Sequence, residues 1–178
     1  VAKEEIGSDS RFKLVKNKKK RFALENIARA IKTADCDDED VILLLDGDDW
    51  LSGTKTLSTL LEYYEKEDCL MTYGSYVYNP GGRRGVEPSK YPDSVVEANS
   101  FREDQWRATH LRSFTHYLWK NLKQGDLKDS DGNYYTMAYD QAIMLPLLEL
   151  AGPKAAYVEE SLYVYNKENP LNVDKIKA

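Results

Sequence analysis

The sequence predicts an α/β fold, a mainly parallel sheet with helices on both faces. Three observations carry that expectation. Val41-Ile42-Leu43-Leu44-Leu45 is a continuous apolar run of strand length, the pattern of a strand buried on both faces. Apolar residues at helical spacing lie on either side of it. Strand-like and helix-like segments then follow one another along the chain, as in sheets covered by helices. A chain of 178 residues suits one domain, since domains run to roughly 100–200 residues. Residues 1–178 are therefore expected to form a single domain, with a poorly ordered lead-in over 1–10.

Each element has its own warrant. Residues 11–16, Arg-Phe-Lys-Leu-Val-Lys, alternate polar and apolar like a half-buried strand. Asn17 can cap a helix over 18–34, whose Phe22, Ile27, Ile31 and Ala34 recur at helical spacing. An acidic loop, 35–40, leads into the strand Val41–Leu45. A second helix is expected over about 53–67, with Leu57, Leu60, Leu61 and Tyr64 on one face. Leu70–Tyr78 is rich in Tyr, Val and Thr, as strands are. Residues 79–100 open on Pro80-Gly81-Gly82 and have little regular pattern, so a flexible loop is expected. A short strand at 109–114, a helix at about 115–123 and polar turn material at 125–135 come next. The clearest helix is Met137–Ala151, stopped by Gly152-Pro153. Ala155–Val158 and Leu162–Tyr165 are two short final strands.

Composition excludes several classes. The balance of 25 Lys+Arg against 30 Asp+Glu gives a formal charge of -5, which argues against a nucleic-acid binder held by a general phosphate field. No apolar run approaches the roughly 20 residues a membrane-spanning helix needs. Cys36 and Cys69 make neither a disulfide framework nor a metal-ligand spacing. With no N-x-[ST] acceptor either, a reducing, cytoplasmic setting is expected. Tyrosine stands out, 13 copies beside 4 Phe. Tyrosines pack an apolar face while keeping a hydroxyl wet, which suits a cleft for polar ligands as well as an ordinary core and rim.

The strongest chemical signal is Asp46-Gly47-Asp48-Asp49, directly after the buried run. Ligands in open α/β sheets bind outside the carboxyl ends of strands. Asp46 and Asp48 can point the same way there, and two hard oxygen donors suit Mg²⁺ or Mn²⁺ shared with a diphosphate. The alternative is an acidic turn in which Asp49 caps the next helix. Tyr139-Asp140 opens a strong apolar helix, where a carboxylate also serves helix stability. Asp129-Ser130-Asp131-Gly132-Asn133 resembles half of a calcium loop, but the first and twelfth positions would be Leu127 and Ala138, so it is a turn. The basic run Lys16 to Arg21 admits phosphate pairing, a localisation signal or a solvated helix start. Trp50, Trp106 and Trp119 suit core or cleft wall.

Several segments together resemble family 2 glycosyltransferases of the GT-A fold. Leu43-Leu44-Leu45-Asp46-Gly47-Asp48-Asp49-Trp50-Leu51 is similar to the family's strand and DxD motif, and Lys20–Ile27 to the helix before it. Phe101–Trp106 and His110-Leu111-Arg112-Ser113-Phe114 resemble the middle of a bacterial and viral subgroup. Tyr139-Asp140-Gln141-Ala142, Leu148–Gly152 and Tyr163-Val164-Tyr165-Asn166 are similar to its C-terminal part. The resemblance runs from about residue 11 to near the end.

That resemblance implies a nucleotide-sugar donor, most often a uridine diphosphate sugar, and a carbohydrate or other hydroxyl acceptor. It implies transfer with inversion, assisted by Mn²⁺ or Mg²⁺. Asp48 would bind the metal, and Asp46 the donor ribose or the metal's shell. Asp140 would be the general base. Arg21 would face the diphosphate, and His110 and Arg112 would line the sugar or acceptor pocket. Relatives usually begin with a further strand–helix–strand unit that holds the base, so an N-terminally truncated member is expected. The alternative is a non-catalytic fragment that binds a carbohydrate or a partner, or self-associates, through an exposed sheet edge.

Overall fold

The computed structural model describes residues 7–170. Helix α1 (Ala23–Ala34), strand β1 (Val41–Leu44), strand β2 (Trp50–Leu51), helix α2 (Thr56–Glu67) and strand β3 (Met71–Asn79) form the first half. Helix α3 (Asp93–Glu97), strand β4 (Thr109–Thr115), helix α4 (His116–Asn121), helix α5 (Tyr139–Ala151) and strand β5 (Ala155–Asn166) form the second. The sheet order is β1-β4-β3-β5-β2. None of the described helices is long and apolar enough to cross a membrane.

The sheet is mixed, not mainly parallel. Only β3 and β5 run parallel, while β1–β4, β3–β4 and β2–β5 are antiparallel. The apolar run that suggested parallel strands has another cause. Ile42 and Leu44 pack under α1 and α5, and Leu43 packs on the opposite face with Leu60 of α2. Helices on both faces make β1 apolar on both sides, although it sits at a sheet edge beside β4. The larger core lies on the α1, α4 and α5 side, around Leu24, Phe114, Ile143, Met144 and Leu147.

Three further expectations are corrected. Residues 11–16 form no strand, and Phe12, Leu14 and Val15 are all exposed, so their alternation has no layer to pack on. The first helix starts at Ala23 rather than near 18. The cations before it oppose the positive end of the helix dipole, whereas Glu25 in its first turn complements it. The two short final strands are one strand, β5, interrupted in register. Gly74 pairs with Val158 but Ser75 pairs with Ser161, so Glu159 and Glu160 bulge out of the ladder. Of the lead-in expected over 1–10, residues 1–6 lie outside the described residues.

The irregular stretch after β3 is tied to that bulge. Arg84 bonds Ser75 Oγ (2.5 Å), Tyr157 Oη (3.0 Å) and the Glu159 carbonyl (2.7 Å). Gly85 then donates its N–H to the Tyr76 carbonyl (2.9 Å) and lies against the Tyr76 ring. Further on, Tyr91 and Phe101 are buried edge to face, with centroids 5.1 Å apart. Residues 93–97 form α3 within the stretch expected to be a loop.

A Cβ at Gly85 would stand 2.5 Å from Tyr76 Cζ. That ring is buried and packed against Tyr78 and Tyr165, so the ring or the backbone at residue 85 must shift. Gly85→Ala is therefore expected to destabilise the fold by about 1–3 kcal/mol, the ordinary cost of overpacking. Urea unfolding against wild type measures it, and an unchanged midpoint would contradict the packing described.

Candidate active site

The Asp46–Asp49 segment turns at the end of β1, with the Asp49 N–H bonded to the Asp46 carbonyl (3.2 Å). Each of its three carboxylates is held from a distant part of the chain. Tyr139, the first residue of α5, donates its hydroxyl to the Asp46 carboxylate, whose oxygens lie 2.8 and 2.9 Å away. Asn169 Nδ2 donates to Asp48 Oδ2 (2.6 Å). Asp49 accepts from the Tyr163 hydroxyl (2.6 Å) and the Asn166 N–H (2.8 Å). Asp49 is thus a tie to β5 and not the cap of α2, whose N-cap is Lys55. Burial raises the Asp49 carboxyl above its ordinary value, and the two donors work against that shift.

Asp140 follows Tyr139 at the start of α5. Its Oδ1 accepts from the Gln141 N–H (2.9 Å), and its Oδ2 lies 3.5 Å from Arg112 Nη2. Arg112 sits on β4 with its side chain 5% exposed, so Asp140 is the counter-charge that a buried guanidinium requires. The same Nη2 lies 3.4 Å from His110 Nε2. His110 stacks on the Tyr163 ring at 4.3 Å between centroids. Burial, aided by the Arg112 charge, pushes the His110 pKa down to about 2, so the imidazole is neutral at physiological pH. Burial likewise raises Tyr139 and Tyr163, which stay protonated as donors to Asp46 and Asp49.

His110, Arg112 and Asp140 line one cavity of about 280 Å³ with Tyr76, Tyr78, Trp106 and Tyr165. Asp46 is tied to the start of α5 by Tyr139, next to Asp140, and Asp48 stands two residues beyond Asp46 in the turn. Arg21 lies apart. It pairs with Glu25 and lines a second cavity of about 740 Å³ with Lys19 and Lys20, against residues 132–137.

Sequence reading singled out the Tyr139-Asp140 pair but gave the tyrosine no task, and it gave none to Tyr163 or Asn169. Tyrosine content was the one signal that could have found the phenols. Nothing local marks Asn169. The Asp129 turn is as expected, with Asp129 Oδ1 bonded to the Asp131 and Asn133 N–H groups.

Asp46 and Asp48 suit a hard divalent cation. Both present carboxylate oxygens, and among the described residues Asp48 Oδ1 has no hydrogen-bond partner. The described residues hold no cluster of three or more His, Cys, Asp or Glu side chains for a metal. The fit is therefore to an ion that takes one or two carboxylates and completes its shell with phosphate and water, as Mg²⁺ does.

A family model described as glycosyl transferase family 2 matches residues 1–126. No curated protein matches the chain at a significant level.

Two tests address the site. Tyr139→Phe removes a hydrogen bond to a charged group, so a loss of about 1.5–3 kcal/mol in urea unfolding is expected. His110 supplies the second. The unfolded chain protonates it near pH 6.5 and the folded chain only near pH 2, so its contribution is intact above 6.5 and lost as pH falls. Well below that point stability should drop by about 1.4 kcal/mol per pH unit on this account alone. Unfolding curves for wild type and His110→Phe from about pH 7 to 5 compare the slopes, and the variant's should be flatter, by about 0.7 kcal/mol per unit at pH 6.5 and by about 1.4 only near pH 5.

Proposed function

The chain belongs to glycosyl transferase family 2, and we propose that it moves a sugar from a nucleotide diphosphate, uridine diphosphate first among candidates, to an acceptor hydroxyl with inversion. One observation carries this reading. Adjacent residues of one helix end, Tyr139 and Asp140, reach the Asp46 carboxylate and the cavity shared with Arg112. A donor-side carboxylate and a candidate base are thereby held in fixed relation.

In the proposed reaction the acceptor oxygen attacks the anomeric carbon from the face opposite the diphosphate. The new C–O bond forms as the bond to the diphosphate breaks, and the hydroxyl proton passes to the Asp140 carboxylate. Arg112 keeps that carboxylate turned into the cavity. Asp48, with Asp46 in the outer shell, would hold Mn²⁺ or Mg²⁺, which when bound neutralises charge on the leaving diphosphate. Tyr139 keeps Asp46 in place throughout. Arg21, which pairs with Glu25 and lines a separate cavity with Lys19 and Lys20, is given no part in this reaction. His110, neutral and stacked, supplies a ring wall and a hydrogen-bonding nitrogen rather than a charge.

Calorimetric titration with uridine diphosphate and Mn²⁺ separates these roles. Asp48→Ala should abolish metal-dependent binding. Asp140→Asn should bind nucleotide as wild type does and lower transfer by about 10²–10⁴-fold, the usual share of a general base. Asparagine is chosen because its amide oxygen can still accept from Arg112, whereas Asp140→Ala would remove that acceptor along with the charge. Wild-type chain that binds neither uridine nor guanosine diphosphate would sink the reading.

A further inference from the structure

The cavity beside Asp140 carries chemistry that proton transfer does not use. At about 280 Å³ it lies near the lower end of small-molecule sites, roughly 300 Å³, so it suits one ring rather than a chain of them. Tyr76, Tyr78, Trp106 and Tyr165 give it aromatic walls. Its charges balance. Asp140 and Glu87 face Arg112 and Lys167, and each cation is already engaged. Arg112 is with Asp140, and Lys167 Nζ stands 4.0 Å over the Tyr78 ring. Asp46 and Asp48 are not among the lining residues described, so the cavity lies on the base's side of Tyr139.

Glu87 lies at this cavity on a strap tied to the bulge by Arg84 and laid across Tyr76 at Gly85. Arg84 pins the strap to the Glu159 carbonyl, and Gly85 lets it cross the Tyr76 ring. The Tyr76 hydroxyl then donates to Glu87 Oε2 (3.2 Å) and lies 3.0 Å from the Tyr78 hydroxyl. Among the described residues Glu87 Oε1 has no hydrogen-bond partner. A carboxylate oxygen only accepts, and a sugar hydroxyl can donate to it. Flat aromatic walls suit the C–H faces of a pyranose, with few polar groups to fix its orientation.

We propose that this cavity seats a neutral pyranose of the acceptor, and that Glu87 selects it through a hydroxyl bond at the cavity mouth. The proposal rests on the transferase reading for the word acceptor, but not for the binding. A site built to bond a hydroxyl discriminates by that bond, because losing it leaves a polar group unpaired.

Methyl glycosides of glucose, galactose, mannose and N-acetylglucosamine, titrated into the full chain under ligand-observed NMR, test it. The same samples receive uridine diphosphate and, separately, guanosine diphosphate, each with Mn²⁺. At least one glycoside should bind wild type. Glu87→Ala should weaken it tenfold or more, and Glu87→Gln, which adds a donor, should reorder the panel. Glu87 is exposed, so both variants should fold, as circular dichroism will check. No glycoside binding, or one order of affinities in all three proteins, overturns the proposal. Nucleotide binding retained in that case leaves the transferase reading standing. Glycosides that follow Glu87 without any nucleotide binding would uphold the cavity and sink the transferase instead.

Discussion

Three carboxylates within four residues repel one another, and the architecture around the Asp46–Asp49 turn is arranged to hold them. Each receives a donor from beyond residue 138, from Tyr139, from Tyr163 and Asn166, and from Asn169. The donors come from the start of α5, the end of β5 and the residues just after it, so the turn is held by parts of the chain far from it in sequence. Tyr163 has the widest reach, since its hydroxyl serves Asp49 and its ring carries His110. Removing it would loosen the acidic turn and the cavity wall together.

The tyrosines explain how so much polar chemistry sits in so small a fold. A buried phenol brings a donor without bringing a charge, and burial keeps it protonated. A lysine in place of Tyr139 or Tyr163 would carry its own desolvation cost. A phenylalanine would fill the space but leave the carboxylate unbonded. Tyr76 uses the same property toward Glu87. An excess of tyrosine over phenylalanine is what a site assembled from neutral donors requires.

How much of this was legible depended on whether the cause was local. The strand before the acidic turn, the helix that opens on Tyr139 and its stop at Gly152 were legible because periodicity and end signals are local. The sheet's direction was not. An apolar run reports that both faces are covered, and Ile42, Leu43 and Leu44 are covered by helices whether their neighbours run parallel or not. The single strand β5 looked like two because Glu159-Glu160-Ser161 is polar, and only Arg84, far earlier in the chain, gives that bulge its partner. Among the candidate residues, His110, Arg112 and Asp140 do share a cavity, whereas Arg21 lines another.

Asp140 shows why helix-end stability and the chemistry proposed for it need not compete at one residue. A carboxylate in the first turn of a helix is favoured there by unpaired N–H groups and by the dipole. Asp140 meets that requirement with one oxygen, bonded to the Gln141 N–H, and turns the other toward Arg112 and the cavity. The bond to the helix fixes the carboxylate plane. Arg112, itself buried and held near the Ala108 carbonyl, then fixes the direction in which the second oxygen points. The structural role is therefore the means by which the second oxygen is aimed, and a base at this position needs that aim as much as it needs its charge.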